Sequence, residues 1–87
     1  MTFKAIKKRD GKIEKFEKGK ITNAIWEAAQ AVGGTNKDKS KKLADECVNR
    51  LEEELDDDEI PTVEQLQDMV ERTLVENGHY KTGKAYI

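Results

Sequence analysis

The chain has 87 residues, 36% hydrophobic and 39% charged, with a formal net charge of −2; this allows one small domain with a thin core and argues against general nucleic-acid binding. No apolar run approaches the roughly 20 residues of a membrane span, and the N-terminus lacks a signal-peptide core. Cys47 is the single cysteine, which excludes an internal disulfide, excludes with the lone His79 a four-ligand zinc site, and fits an expected location in a reducing cytoplasm.

The charge is unevenly spread. Residues 1–20 hold eight Lys/Arg against three Asp/Glu, whereas residues 45–76 hold thirteen Asp/Glu against two Arg. A basic end suits a small polyanion, and an acidic remainder repels a long one.

Asp10-Gly11 lies between two short runs that mix apolar and polar residues, the signature of a β-hairpin closed by a two-residue type I′ turn. Thr2–Arg9 is expected as the first strand and Lys12–Phe16 as the second, with Arg9 opposite Lys12, Lys8 opposite Ile13, Lys7 opposite Glu14 and Ala5 opposite Phe16. This register puts Phe3, Ala5, Lys7, Glu14 and Phe16 on one face and Ile6, Lys8, Ile13 and Lys15 on the other; a three-residue turn would shift it. Lysines around the turn read either as a solvated edge that blocks strand pairing or as a grip for several negative charges.

Glu17–Val32 is predicted as the first helix, with Ile21, Ala24, Ile25, Ala28, Ala29 and Val32 on one face. Trp26 falls off that stripe and reads as a flank of the core or as part of an association surface, and Gly33-Gly34 ends the helix. After a loop over Thr35–Lys39, Ser40–Leu55 is predicted as the second helix, its stripe running through Leu43, Ala44, Cys47, Val48, Leu51 and Leu55. Cys47 inside that stripe reads as a small buried hydrophobe. The acidic run Glu52–Glu59 opposes the helix dipole and is expected to fray into a solvated loop. Ile60 is placed to add a very short third strand, which Pro61 confines to an edge. Thr62-Val63-Glu64-Gln65 is a capping-box pattern that starts a third helix over Val63–Glu76, with Val63, Leu66, Val70 and Leu74 inward. Asn77-Gly78 ends it, and His79–Ile87 reads as a last helix that stops in an apolar run, as expected of a piece of a longer protein. The expected fold is one α+β domain, a β-hairpin or three-stranded sheet capping a bundle of three to four helices.

Catalysis finds little footing. His79 has no evident nucleophile or orienting carboxylate, the acidic run has no apolar walls to raise a pKa, and neither a P-loop nor a GxGxxG motif is present. Binding is the better class, and the ligand expected is small, polyanionic and partly apolar. Lys7, Lys8 and Arg9 on the hairpin and Lys20 on the first helix suit phosphates, aided by the helix N-terminus. Glu14 is placed either to accept from a ribose hydroxyl or to pair with Lys7. Ile6, Phe16 and Ile21 offer an apolar wall for a base, and Thr62 and Gln67 offer groups for its edge if the third helix packs over the hairpin.

The run Lys8-Arg9-Asp10-Gly11, then Glu14, Phe16, Lys20-Ile21 and Ala24-Ile25, resembles the ATP-cone, and Thr62–Glu71 resembles its second signature. The resemblance implies an allosteric domain that binds ATP or dATP, with or without Mg2+, at the N-terminus of a ribonucleotide reductase, where ATP activates and dATP inhibits. It implies Lys8, Arg9 and Lys20 at phosphates, Glu14 on the sugar side, Ile6 and Ile21 against adenine, and Thr62 and Gln67 near the adenine edge; Leu66 belongs to the expected binding set. Lys7 and Phe16 complete the expected binding set. A second nucleotide binds in some members. Ala31-Val32-Gly33-Gly34 resembles the anaerobic reductase version. The same domain occurs in a repressor of reductase genes, there preceded by a cysteine-rich zinc ribbon not seen here, so the reductase form is expected. Partners implied are adenine nucleotides, the catalytic domain of the parent and a second cone, with no nucleic acid and no membrane. An interaction module without a ligand is the rival reading.

Overall fold

A computed structural model describes residues 3–86 as a hairpin of β1 (Ala5–Lys7) and β2 (Ile13–Lys15) set against helices α1 (Lys18–Ala31), α2 (Lys37–Glu54), α3 (Val63–Glu76) and α4 (Tyr80–Tyr86). Thr2 and Ile87, assigned above to the first strand and the last helix, lie outside the described residues. The α+β architecture is the one expected from the sequence. The helices pack in a ring of neighbours, α1 on α2, α2 on α3, α3 on α4 and α4 back on α1.

The predicted stripes meet at the centre. Ile21 and Ile25 of α1, Cys47 and Leu51 of α2, and Val70 and Leu74 of α3 share one apolar cluster that Ile6 of β1 joins. Ile25, Val70 and Leu74 are wholly buried, and full burial of such a side chain stabilises by about 1.5–3 kcal/mol over exposure. Burial also raises the Cys47 thiol pKa, as befits a core hydrophobe. Polar ties link the helices at their edges: Lys18 to Asp45 at 2.6 Å between α1 and α2, and Arg50 to Glu76 at 2.7 Å between α2 and α3. Arg50 also donates to the buried hydroxyl of Thr73 at 3.1 Å. Trp26 is half-buried on the flank of α1.

The hairpin register differs from the expected one. Ala5 faces Lys15, Ile6 faces Glu14 and Lys7 faces Ile13. The connection is a three-residue loop: the Lys8 N–H donates to the Lys12 carbonyl at 2.8 Å and the Gly11 N–H to the Lys8 carbonyl at 2.9 Å. Gly11 takes the left-handed position that ends such a loop (φ 88°), and Asp10 accepts from the Lys12 N–H at 2.9 Å. One extra loop residue moves the second strand by one position and reverses its faces. Ile13 therefore stands with Lys7 on the outer face and is 58% exposed, whereas Glu14 joins Ile6 on the inner face.

Two further expectations are corrected. α2 begins at Lys37 rather than Ser40, because Asn36 supplies the cap, its side chain accepting from the Lys39 N–H at 3.3 Å. The third strand reduces to a single parallel bridge between Lys7 and Thr62, in which the Lys7 N–H donates to the Pro61 carbonyl at 2.9 Å. α3 starts as predicted, with both halves of the Thr62–Gln65 capping box formed. α2 ends at Glu54, and the acidic residues beyond it form a turn in which the Glu59 N–H donates to the Asp56 carbonyl at 3.0 Å. α1 ends where Gly34 donates to the Ala29 carbonyl at 2.7 Å. A Cβ on Gly34 would sit 2.8 Å from that oxygen, so only glycine fits the approach.

Candidate functional site

The hairpin, the start of α1, the first turns of α3 and the end of α4 enclose a cleft of about 180 Å³. The Lys7–Pro61 bond holds β1 beside the start of α3, and the alternation of β1 turns Ile6 inward, where it is 8% exposed. Ile6, Ile21 and Leu66 form the apolar floor, and Phe16 closes one side, its ring 4.5 Å from that of Phe3. Glu14, Lys20 and Gln67 stand at the rim. A second hollow of about 220 Å³ lies alongside, between the hairpin loop and the α3 start, walled by Lys7, Lys8, Arg9 and Thr62. Every residue of the expected binding set thus borders one of two adjacent hollows. Lys7 differs from its neighbours, because strand alternation puts it on the outer face with Ala5 and Ile13.

The cations are not bare. Lys8 Nζ lies 3.0 Å from Glu14 Oε1, with both side chains about half exposed. This replaces the expected Lys7–Glu14 pairing, and the register is the cause. Arg9 reaches over to α3, where Nη2 donates to Gln67 Oε1 at 3.3 Å and Nε lies 3.9 Å from Glu64. Lys20 pairs with Glu17 at 3.3 Å. Lys8, Arg9 and Lys20 are therefore each held near the cleft by a carboxylate in an exposed pair, worth no more than about 1 kcal/mol. A polyphosphate, with several charges at once, is the kind of ligand that displaces such partners. Among the described residues no cluster of three or more His, Cys, Asp or Glu is placed to hold a metal ion.

Sequence reasoning missed Tyr86, Val63 and Glu64 as walls. Tyr86, near the end of α4, borders both the apolar cleft and a further hollow of about 380 Å³ beside Arg9 and Gln67. Burial raises its phenol pKa. No local pattern announces this role, since it depends on how α4 packs back against α1 and α3. Glu64 was legible only as a member of the capping-box sequence.

Residues 4–87 match the family described as the ATP cone domain. A vitamin B12-dependent ribonucleoside-diphosphate reductase of Thermoplasma acidophilum is 48% identical over 74 residues, which is 84% of this chain and 9% of that protein.

Proposed function

The chain belongs to the ATP cone domain family, and from that premise we propose that it binds ATP and dATP as the allosteric domain of a longer ribonucleotide reductase, whose catalytic domain is its partner. The observation that carries this reading is the meeting of Lys8, Arg9 and Lys20 around an apolar floor of Ile6, Ile21 and Leu66. The base lies on that floor and Phe16, with Thr62 and Gln67 toward its edge. The phosphates draw Lys8, Arg9 and Lys20 from Glu14, Glu64 and Glu17, with Lys7 adding charge from the outer face. Any Mg2+ travels with the phosphates.

The exchange at Lys8 suggests how one hydroxyl is sensed. When phosphate takes Lys8, the Glu14 carboxylate loses its 3.0 Å partner and is free to accept from a ribose 2′-hydroxyl, which ATP has and dATP lacks. Regulation requires that the two nucleotides stabilise different arrangements of the domain or its partners, and Glu14 is the group assigned to begin that difference. The class of parent is a separate matter: Ala31–Gly34 resembles the anaerobic version, whereas the matched relative is named for vitamin B12 dependence.

Thermal melts and titration calorimetry with ATP, dATP and GTP test the reading. A ligand at about 100 times its Kd adds roughly 2.7 kcal/mol to stability. An adenine-nucleotide shift is expected; absence of heat and of any shift would leave an interaction module as the better description.

A further inference from the structure

At the other end of α1, away from the hairpin, a cavity of about 230 Å³ lies between the second half of α1, the start of α2 and the α3–α4 connection. Its floor is Ile25, Ala29 and Leu43, and its polar wall includes Lys39, Ser40 and His79. A water occupies about 30 Å³ of liquid, so the space accommodates a small ion together with its waters.

Several observations there converge on negative charge. Ser40 is 2% exposed and lines this cavity; its hydroxyl makes no hydrogen bond among the described residues, and the cavity is the side from which a partner can reach it. Lys39 pairs with no carboxylate among the described residues. The cavity borders the first turn of α2 at Asn36, Lys39 and Ser40, near the positive end of the helix dipole; Asn36 caps the N–H of Lys39. His79 borders the same space, and its pKa is lowered first by burial and then by the charge of Lys39. Among the described residues no other titratable group lines the cavity: α1 presents Ile25 and Ala29, and α4 presents Thr82. Asp38, in the first turn of α2, is exposed and outside the lining.

We propose that this cavity is a second ligand site, for a tetrahedral oxyanion of the phosphate class, held by the Lys39 ammonium, the Ser40 hydroxyl and the His79 ring at the start of α2. An anion placed there satisfies the hydroxyl and neutralises two facing cation-forming groups. The site is independent of the nucleotide cleft, which lies around Ile21, nearer the start of the same helix.

His79 is the only histidine in the chain, so its ring protons report on the site alone. The test is a proton NMR pH titration of the full chain in chloride and in inorganic phosphate at matched ionic strength. The His79 midpoint, below the ordinary value of about 6.5 in chloride, is expected to rise in phosphate. The rise is expected to vanish in Ser40→Ala and in Lys39→Gln, a surface change that leaves the fold intact, and to survive in Lys8→Ala, which alters only the nucleotide cleft. Glycerol phosphate in place of inorganic phosphate separates the sources: an equal rise assigns the site to phosphomonoesters, a smaller one to the free ion. A midpoint unmoved by phosphate, or a rise undiminished in Lys39→Gln, overturns the proposal.

Discussion

Replacing Glu64 by Gln is expected to tighten ATP binding, although it removes an ion pair. The Arg9–Glu64 pair is long, at 3.9 Å, and its side chains are 72% and 68% exposed. Such a pair contributes at most about 0.5 kcal/mol to folding, so the unliganded midpoint should fall by no more than about 4 °C in a domain of this size. The effect on the ligand is larger and of opposite sign. The substitution releases Arg9 from a competing anion and removes a negative charge from the edge of the phosphate hollow. At about 6 Å in a water-like dielectric each phosphate charge is repelled by Glu64 by about 0.7 kcal/mol. Screening at physiological salt reduces this term, and several charges together give about 1 kcal/mol, or roughly five-fold in Kd. Calorimetry at physiological and at high salt reads both the gain and its screening. The Arg9→Ala and Arg9→Ala/Glu64→Gln variants complete a cycle: the part of the gain that comes from freeing Arg9 disappears when Arg9 is absent, whereas the part that comes from direct repulsion remains. Weaker ATP binding by Glu64→Gln than by the wild type would refute the view that the phosphates displace this carboxylate.

Lys8→Ala should lose most of the nucleotide-induced rise in Tm while leaving the unliganded melt nearly unchanged, because its bond to Glu14 is a half-exposed pair; wild-type affinity would disprove the phosphate assignment. Glu14→Gln should bring the ATP and dATP affinities closer together, and an unaltered ratio by calorimetry would remove Glu14 as the sugar sensor. Leu74→Ala, at a wholly buried position, should cost about 2–5 kcal/mol in urea unfolding, enough to unfold much of so small a domain. His79 is lowered by burial, so below about pH 6.5 the unfolded chain binds a proton before the folded one does and stability falls as pH drops toward the folded pKa. His79→Gln should flatten that part of the stability–pH curve.

Much of the bundle was legible because its signals are local and consistent with one another. The stripe through Leu43, Cys47 and Leu51 can be buried only as a helix face, and Thr62 with Gln65 specifies where α3 starts. The hairpin was legible as an element but not in register. Asp10-Gly11 suits a two-residue turn, and equally the last two positions of a three-residue loop in which Asp10 bonds to Lys12. That single residue decides whether Glu14 stands opposite Lys7 or opposite Ile6, where it pairs with Lys8. The start of α2 was misplaced because Asn36 and Ser40 are both good caps, and the choice rests on which side chain reaches a free N–H. Tyr86 was invisible as a wall because α4 is short and its placement is tertiary.

The Lys7–Pro61 bond, part of the short bridge to Thr62, ties the hairpin to the start of α3, and the ladder itself is only three residues a side. An element so lightly fastened opens far more often than the bundle beneath it. Its amides should exchange with solvent well ahead of the helical core, and an occupied cleft should slow them most. Part of the free energy of any ligand gripped there goes into keeping the hairpin closed, so the most fragile segment of the molecule is also the one best suited to register an occupant.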